Sequence, residues 1–168
     1  MINKVQLSNG QKKIELPSLS EILSYERIKL NVRVDNWCEA IYEVGKVLYD
    51  TDAITENYID EMIKTAEELG PYIVIAPGIA LPHASPESGA KKTALGMIKL
   101  SKPINFGNPV NDPVKLVFGL SAVDNKVHVK ALQVLAKLFL SKVLVKELFE
   151  VQSIDSVMKI IQKAEMLP

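Results

Sequence analysis

Apolar side chains in the first half of this chain recur at helical spacing. After Asp35, which is expected to open a helix, four of them follow at intervals of four, three and four positions: Trp37, Ile41, Val44 and Leu48. This spacing places them on one face of an α-helix that packs on a core. A second helix is predicted from a cap at Thr55 to the helix-breaking pair Gly70 and Pro71.

Further helices are predicted at both ends of the chain. Ser18 and Glu21 have the spacing of a capping box ahead of a short helix. In the last third of the chain, three residues of capping type precede amphipathic segments: Asp124, Ser141 and Ser153. We therefore expect one short helix near the start and three helices near the end.

Strands are predicted in the middle of the chain. Tyr72–Ala76 is a short continuous apolar run of the kind found in a strand covered on both faces. Three more strands are expected, at residues 93–100, 104–106 and 114–120, with Ser101–Pro103 as a tight connection between the first two of these. Helices on either side of a run of strands predict a helix–sheet–helix sandwich in a single α/β domain over residues 18–168. Residues 1–17 are expected to be an accessory extension, with the pair Asn9 and Gly10 indicating a hairpin.

Charge and composition narrow the class of protein. The 20 basic and 20 acidic side chains give a formal net charge of zero, which argues against a nucleic-acid-binding protein. Cys38 is the single cysteine, so an internal disulfide and a thiolate metal cluster are both excluded. The first 25 residues lack an apolar signal core, and about 18 consecutive apolar residues occur nowhere. We therefore expect a cytoplasmic protein that does not insert into a membrane.

The candidate chemistry centres on the two histidines of the chain, His83 and His128. His83 lies in Pro77–Ala84, where two prolines and a glycine restrict the backbone after a predicted buried strand. His128 follows Asp124 by four residues, in the first turn of a helix that follows another strand. Because reacting groups collect at strand ends and helix N-termini in α/β folds, the two imidazoles are expected to meet. Such a pair suits phosphoryl transfer through a nucleophilic imidazole.

Simpler and competing interpretations stay open at this point. His83 could be a loop histidine bonded to a carbonyl, and His128 a cap or surface residue. A zinc site of a metal-dependent hydrolase, formed by both histidines with Asp124, lacks the usual helical ligand spacing. Ser85 beside His83 could form a nucleophile–base pair, but no nucleophile-elbow motif surrounds it. Cys38 lies in an apolar helix, where an inert thiol is expected.

Two segments carry a resemblance to a known family. Gly70–Ala84 resembles the active-site segment of enzyme IIA components of the bacterial phosphoenolpyruvate-dependent phosphotransferase system, of the mannitol/fructose type. Asn111–Leu120, followed by Asp124 and His128, is similar to the second block of that family, and the likeness extends over roughly residues 18 to 165. Asp35–Trp37, together with the Gly-Pro-Tyr opening at Gly70, looks most like the ascorbate-specific subgroup.

The resemblance implies a role for each histidine. His83 matches the histidine that accepts phosphate from the small histidine phosphocarrier protein and donates it to a cysteine of the IIB component. His128 matches the second histidine, which stabilises the phosphoryl group. The family is a phosphotransferase with a mixed β-sheet covered by helices on both faces. It needs no metal and no organic cofactor, and it serves the IIC membrane permease only indirectly.

Two questions remain open within the resemblance. Transport of ascorbate is the expected role, and the alternative is a regulatory IIA-like protein that signals through phosphorylation of His83. The chain has only two arginines, Arg27 and Arg33, so any guanidinium contact to the phosphoryl group must come from one of them or be absent.

Overall fold

The computed structural model describes residues 18–168, which form one mixed sheet with helices on both faces. In chain order, the elements are α1 (Leu19–Ile22), β1 (Ile28–Val32), α2 (Trp37–Asp50), α3 (Glu56–Leu69), β2 (Val74–Ala76), β3 (Ile79–Ala80), β4 (Ala94–Ile104), β5 (Val114–Ser121), α4 (Asn125–Leu140), α5 (Lys142–Glu150) and α6 (Ile154–Glu165). The sheet has the order β1-β4-β5-β3-β2. The pairs β1–β4 and β3–β5 are parallel, and β4–β5 and β2–β3 are antiparallel. The predicted α/β class with a mixed sheet is confirmed, whereas the predicted hairpin in residues 1–17 lies outside the described residues.

Alternation along the central strands builds a hydrophobic core on each face of the sheet. In β5, Val117 belongs to the cluster formed with α2 and α3, and its neighbours Leu116 and Phe118 belong to the cluster formed with α1, α4, α5 and α6. Successive strand residues point to opposite faces, so one strand contributes to both cores. The result is the three-layer sandwich that the sequence predicted.

Helix α2 lies unusually close to the sheet at Gly119. A Cβ atom at this position would come within 3.0 Å of the Val44 side chain. A larger residue at position 119 of β5 would therefore push α2 away from the sheet.

Within residues 18–168, no helix has the length and apolar character needed to span a bilayer.

Two predicted features of the strands are wrong. Residues 101–103 do not connect two strands, because β4 runs without interruption to Ile104. The ladder between β4 and β5 shifts register between Lys99 and Ile104, so Pro103 falls where regular pairing is already lost and its missing N–H is tolerated. The run Tyr72–Ala76 is an edge strand only from Val74 onward, and Ile75 is 42% exposed, so it is not covered on both faces.

The structure also contains two strands that the pattern did not predict, β1 and β3.

The predicted helix starts differ little from the observed ones. Helix α2 begins at Trp37, and the Asn36 side chain rather than Asp35 caps it by accepting from the Glu39 N–H. Asp124, Ser141 and Ser153 cap their helices as predicted, each by accepting a backbone N–H.

Candidate active site

A tight turn at Gly78 leads the chain from β2 into β3. The Gly78 N–H donates to the Asn111 carbonyl at 2.8 Å, and its own carbonyl accepts from Lys115 at 2.9 Å and Leu116 at 3.1 Å. Its φ of 76° lies in the left-handed region, and a Cβ there would meet the Phe149 ring at 2.8 Å. Only glycine fits this position without strain. The turn sets the register of β3 beside β5 and, through β3, the position of the residues that follow.

His83 lies where the pairing of β3 with β5 ends. It forms an isolated parallel bridge with Leu120, and the Leu120 N–H donates to the Pro82 carbonyl at 3.1 Å. The imidazole Nδ1 is 2.7 Å from the Leu81 carbonyl oxygen. Because a carbonyl only accepts, Nδ1 carries a proton. In the neutral ring, this contact selects the tautomer with its lone pair on Nε2.

His128 faces His83 from the start of α4. The two ring centroids are 5.1 Å apart and the ring planes are inclined by 51°. The Asp124 carboxylate accepts the Val127 N–H at 2.8 Å, so the Asp124 side chain already occupies one of the backbone N–H donors at the N-terminus of α4. The structure therefore brings together the two histidines that the sequence singled out.

The surroundings of His128 favour a neutral ring. Burial lowers the pKa of His128, and the neighbouring His83 lowers it further. Its Nδ1 atom is buried and has no hydrogen-bond partner. Since a buried N–H without a partner is rarer than a buried lone pair without one, the proton belongs on Nε2. His128 can then donate a hydrogen bond from Nε2 to an anionic group held on His83.

The sequence analysis missed Tyr58, which lies completely buried beneath the His83 loop. Its hydroxyl donates to the Leu120 carbonyl at 2.7 Å and accepts from the Ala84 N–H at 3.1 Å. Burial raises the pKa of Tyr58 to about 12, so the hydroxyl stays protonated. A signal was present, because Tyr58 falls on the same face of α3 as Met62 and a phenol on a buried face needs a polar partner.

The other candidates lie elsewhere or have other partners. The Ser85 hydroxyl pairs with Ser88 at 3.0 Å rather than with His83. Cys38 is partly buried in α2, in the layer opposite α4. In residues 18–168, no three histidine, cysteine, aspartate or glutamate side chains come together as metal ligands.

Neither arginine reaches the imidazole pair. The Arg27 guanidinium donates to Thr51 Oγ1 at 3.0 Å and to the Ile22 carbonyl at 3.2 Å. Arg27 immediately precedes β1, and two strands, β4 and β5, lie between β1 and β3. Arg33 follows the C-terminal end of β1. Because β1 runs antiparallel to β5 and His83 pairs near the C-terminal end of β5, Arg33 and His83 lie at opposite ends of the strands.

The structure is thus a mixed α/β sandwich in which two imidazoles face each other where a parallel strand pair ends. Residues 21–164 match the model of the family described as phosphoenolpyruvate-dependent sugar phosphotransferase system, EIIA 2. The chain belongs to this family.

Relatives with the same fold carry several different names. The chain is 38% identical over 101 residues to the ascorbate-specific PTS system EIIA component of Escherichia coli (strain K12). That alignment covers 60% of this chain and 66% of the relative, just under two thirds of its length. The solution structure of the mannitol-specific cryptic phosphotransferase enzyme IIA CmtB from Escherichia coli is 34% identical, with a TM-score of 0.79 over 88% of this chain and 99% of its own. The nitrogen regulatory protein IIA-Ntr from Neisseria meningitidis is 28% identical, with a TM-score of 0.72 over 84% and 97%.

Proposed function

We propose that this chain is a phosphocarrier of a phosphoenolpyruvate-dependent sugar phosphotransferase system, and that it carries phosphate on Nε2 of His83. The observation that supports this most directly is the 2.7 Å contact between His83 Nδ1 and the Leu81 carbonyl. In the neutral ring that contact leaves the lone pair on Nε2, and a second imidazole lies 5.1 Å away between ring centroids. Membership of the EIIA 2 family supports the same role.

The transfer uses both histidines and conserves the phosphoryl group. The Nε2 lone pair of His83 attacks phosphorus on the donor phosphohistidine, so one N–P bond forms while the donor's N–P bond breaks. His128 donates a hydrogen bond from Nε2 to a phosphoryl oxygen and stabilises the charge that builds up in the transition state. The thiolate of an acceptor cysteine then attacks phosphorus and displaces His83 Nε2, which regains its lone pair.

The partners follow from this chemistry and from the family. The donor is the histidine phosphocarrier protein, and the acceptor is a cysteine of the IIB component. The IIC permease is an indirect partner, which is reached only through IIB. The transported substrate is ascorbate, as in the name of the curated relative that is 38% identical. These partners act in the cytoplasm, where we place this chain.

Phosphorylation of the purified protein tests the proposal. Incubation with phosphoenolpyruvate and the general proteins of the system should add one acid-labile phosphate per chain, and His83→Ala should abolish the labelling. His128→Ala is the matched control, because it removes the other ring of the pair. It should still accept phosphate but pass it to IIB more slowly. Labelling of His83→Ala to the wild-type level would overturn the assignment.

A regulatory role is the second candidate, favoured by the likeness to the nitrogen regulatory protein IIA-Ntr. In that case His83 would be phosphorylated in the same way, but the phosphate would not pass to a IIB protein. The experiment is to mix the phosphorylated chain with a purified IIB protein of an ascorbate phosphotransferase system and to follow the label. Rapid transfer to a IIB cysteine supports transport, whereas retention on His83 beside a gene for a transcription regulator supports signalling.

A further inference from the structure

The Tyr58 hydroxyl bonds to both the His83 segment and β5 where their pairing ends. Three pairs share one register along these two segments: Ile79 with Leu116, Ala80 with Val117, and His83 with Leu120. In this register, the Ala84 N–H and the Leu120 carbonyl are the last donor and acceptor of the pairing. The phenol hydroxyl contacts both of them, because it accepts from the Ala84 N–H at 3.1 Å and donates to the Leu120 carbonyl at 2.7 Å.

This hydroxyl completes the support of the His83 backbone. A side chain is oriented by the two peptide groups on either side of its Cα. On one side of His83, the Pro82 carbonyl accepts the Leu120 N–H at 3.1 Å. On the other side, the Ala84 N–H donates to Tyr58. The Tyr58 hydroxyl therefore supports the second of the two peptide groups that orient the imidazole.

The start of α3 is itself fixed against the segment that follows His83. The Asn57 side-chain amide donates to the Ser88 carbonyl at 2.8 Å, and the Thr55 N–H donates to the Gly89 carbonyl at 2.9 Å. Tyr58 is completely buried, so its ring has no freedom to follow a moving loop. Its hydroxyl is a fixed point to which the loop is tied.

We infer that Tyr58 is a positioning residue for phosphoryl transfer, which holds His83 with Nε2 directed toward the incoming phosphorus. The inference rests on the proposed function, because it assigns Tyr58 a part in the transfer through His83. A displacement of about 1 Å at a reacting group can cost about a hundredfold in rate. Loss of the hydroxyl removes this support from the Ala84 N–H, and the His83 ring then turns away from its contact with the Leu81 carbonyl.

Tyr58→Phe tests this inference, because it removes the hydroxyl and keeps the ring. We expect the final phosphate content to stay at one per chain. The rate constant of uptake from the phosphorylated donor should fall by about tenfold to a hundredfold, with the donor concentration at half-saturation unchanged. Nitrogen NMR of the His83 ring should show the single Nδ1–H tautomer in the wild type and a mixture of tautomers in the variant. A merely structural role would not change the tautomer of a folded protein.

Two control variants separate positioning from stability. Thr51→Val removes a different, partly buried hydroxyl, which accepts from Arg27 at 3.0 Å and donates to the Val47 carbonyl at 2.9 Å and has no hydrogen bond to the His83 segment or to β5. Tyr42→Phe makes the same chemical change at an exposed position. Both should keep the wild-type rate and the wild-type His83 tautomer. If Tyr58→Phe is partly unfolded, all four proteins are compared in sucrose, which favours the folded state.

Each outcome decides the question. A slow rate and a mixed tautomer in Tyr58→Phe alone support positioning. A wild-type rate together with an unchanged tautomer overturns it, as does an equal loss of rate in Thr51→Val. If the wild-type protein accepts no phosphate, the proposed function fails. The tautomer of His83 still shows whether Tyr58 orients the ring, so the two failures are distinguishable.

Discussion

At the scale of single residues, the two imidazoles differ in what their ring nitrogens contact. His83 has a backbone acceptor for Nδ1 at 2.7 Å, whereas Nδ1 of His128 is buried without a partner. The first arrangement fixes a tautomer, and the second disfavours a charged ring, since both nitrogens of an imidazolium must donate. In the proposed transfer, this difference makes His83 the oriented nucleophile and His128 the neutral donor.

The lowered pKa of His128 predicts a pH-dependent stability. Burial, and then the nearby His83, hold this pKa below the ordinary value of 6.5. As the pH falls below about 6.5, the unfolded chain therefore takes up a proton at this position before the folded chain does, and the free energy of unfolding decreases. We expect His128→Gln to lose less stability than the wild type between about pH 7.5 and pH 5.5, measured by urea unfolding.

His83→Gln is the control for that measurement. It removes the neighbouring imidazole but leaves His128 buried, so a smaller His128 contribution to the pH dependence should remain. Parallel stability curves for the wild type and His128→Gln would show that His128 is not held neutral by the fold.

At the scale of elements, the turn at Gly78 determines where β3 and the following loop lie. Its N–H is bonded to Asn111, in the segment that leads into β5, and its carbonyl is bonded to Lys115 and Leu116 of β5 itself. A residue with a side chain at this position would have to adopt a left-handed backbone conformation, and its Cβ would also meet Phe149 of α5. This turn therefore links the position of the candidate nucleophile to the packing of α5.

Gly78→Ala should destabilise the protein by about 2–4 kcal/mol, the sum of left-handed strain and overpacking against a ring. Gly107→Ala is the matched control, since Gly107 has a φ of 93° but nothing lies within 4 Å of its would-be Cβ. We expect about 1–2 kcal/mol for the control, from backbone strain alone. Thermal unfolding measures both, and equal losses would show that the Phe149 contact is unimportant.

Pattern-based prediction succeeded for elements with long apolar repeats and failed for short or edge strands. Helices α2 and α3 and strand β5 have repeats that extend over several positions, and they were predicted close to their observed bounds. Strand β1 buries fully only Ile28, and β3 has two residues, so neither contains a period to detect. The imidazole pair could be expected because both histidines follow strands. The role of Tyr58 could not, because it depends on a contact across 62 positions of sequence.

At the scale of the whole molecule, the two cores share their central strands. Phe118 is fully buried on the α4 side, where its ring meets Phe139 at 5.2 Å between centroids in an edge-to-face arrangement. On the other face, Val44 packs against Gly119, the next residue of the same strand. Because the strand between them belongs to both cores, loss of one core should undermine the other.

Phe118→Ala should therefore destabilise the entire fold, by about 3–5 kcal/mol. Trp37, the single tryptophan, packs on the opposite face with α2 and reports on the other core. Its fluorescence should change at the same urea concentration as the far-ultraviolet circular dichroism, in both the wild type and the variant. Val143→Ala, at a side chain that is 68% exposed, is the control and should change stability by less than about 0.5 kcal/mol. A tryptophan transition that stays at its wild-type midpoint in Phe118→Ala would show that the cores unfold separately.

The hydrogen bonds on both sides of His83 also determine how a phosphoryl group on this ring would travel. A residue tied to β5 on one side and to α3 on the other has no hinge, so the imidazole cannot swing from a donor toward an acceptor. Transfer of the phosphoryl group to the acceptor then requires that the two proteins collide in an orientation that brings their reacting atoms into line. The time between uptake and release would be governed by the concentrations of the partners and the viscosity of their surroundings.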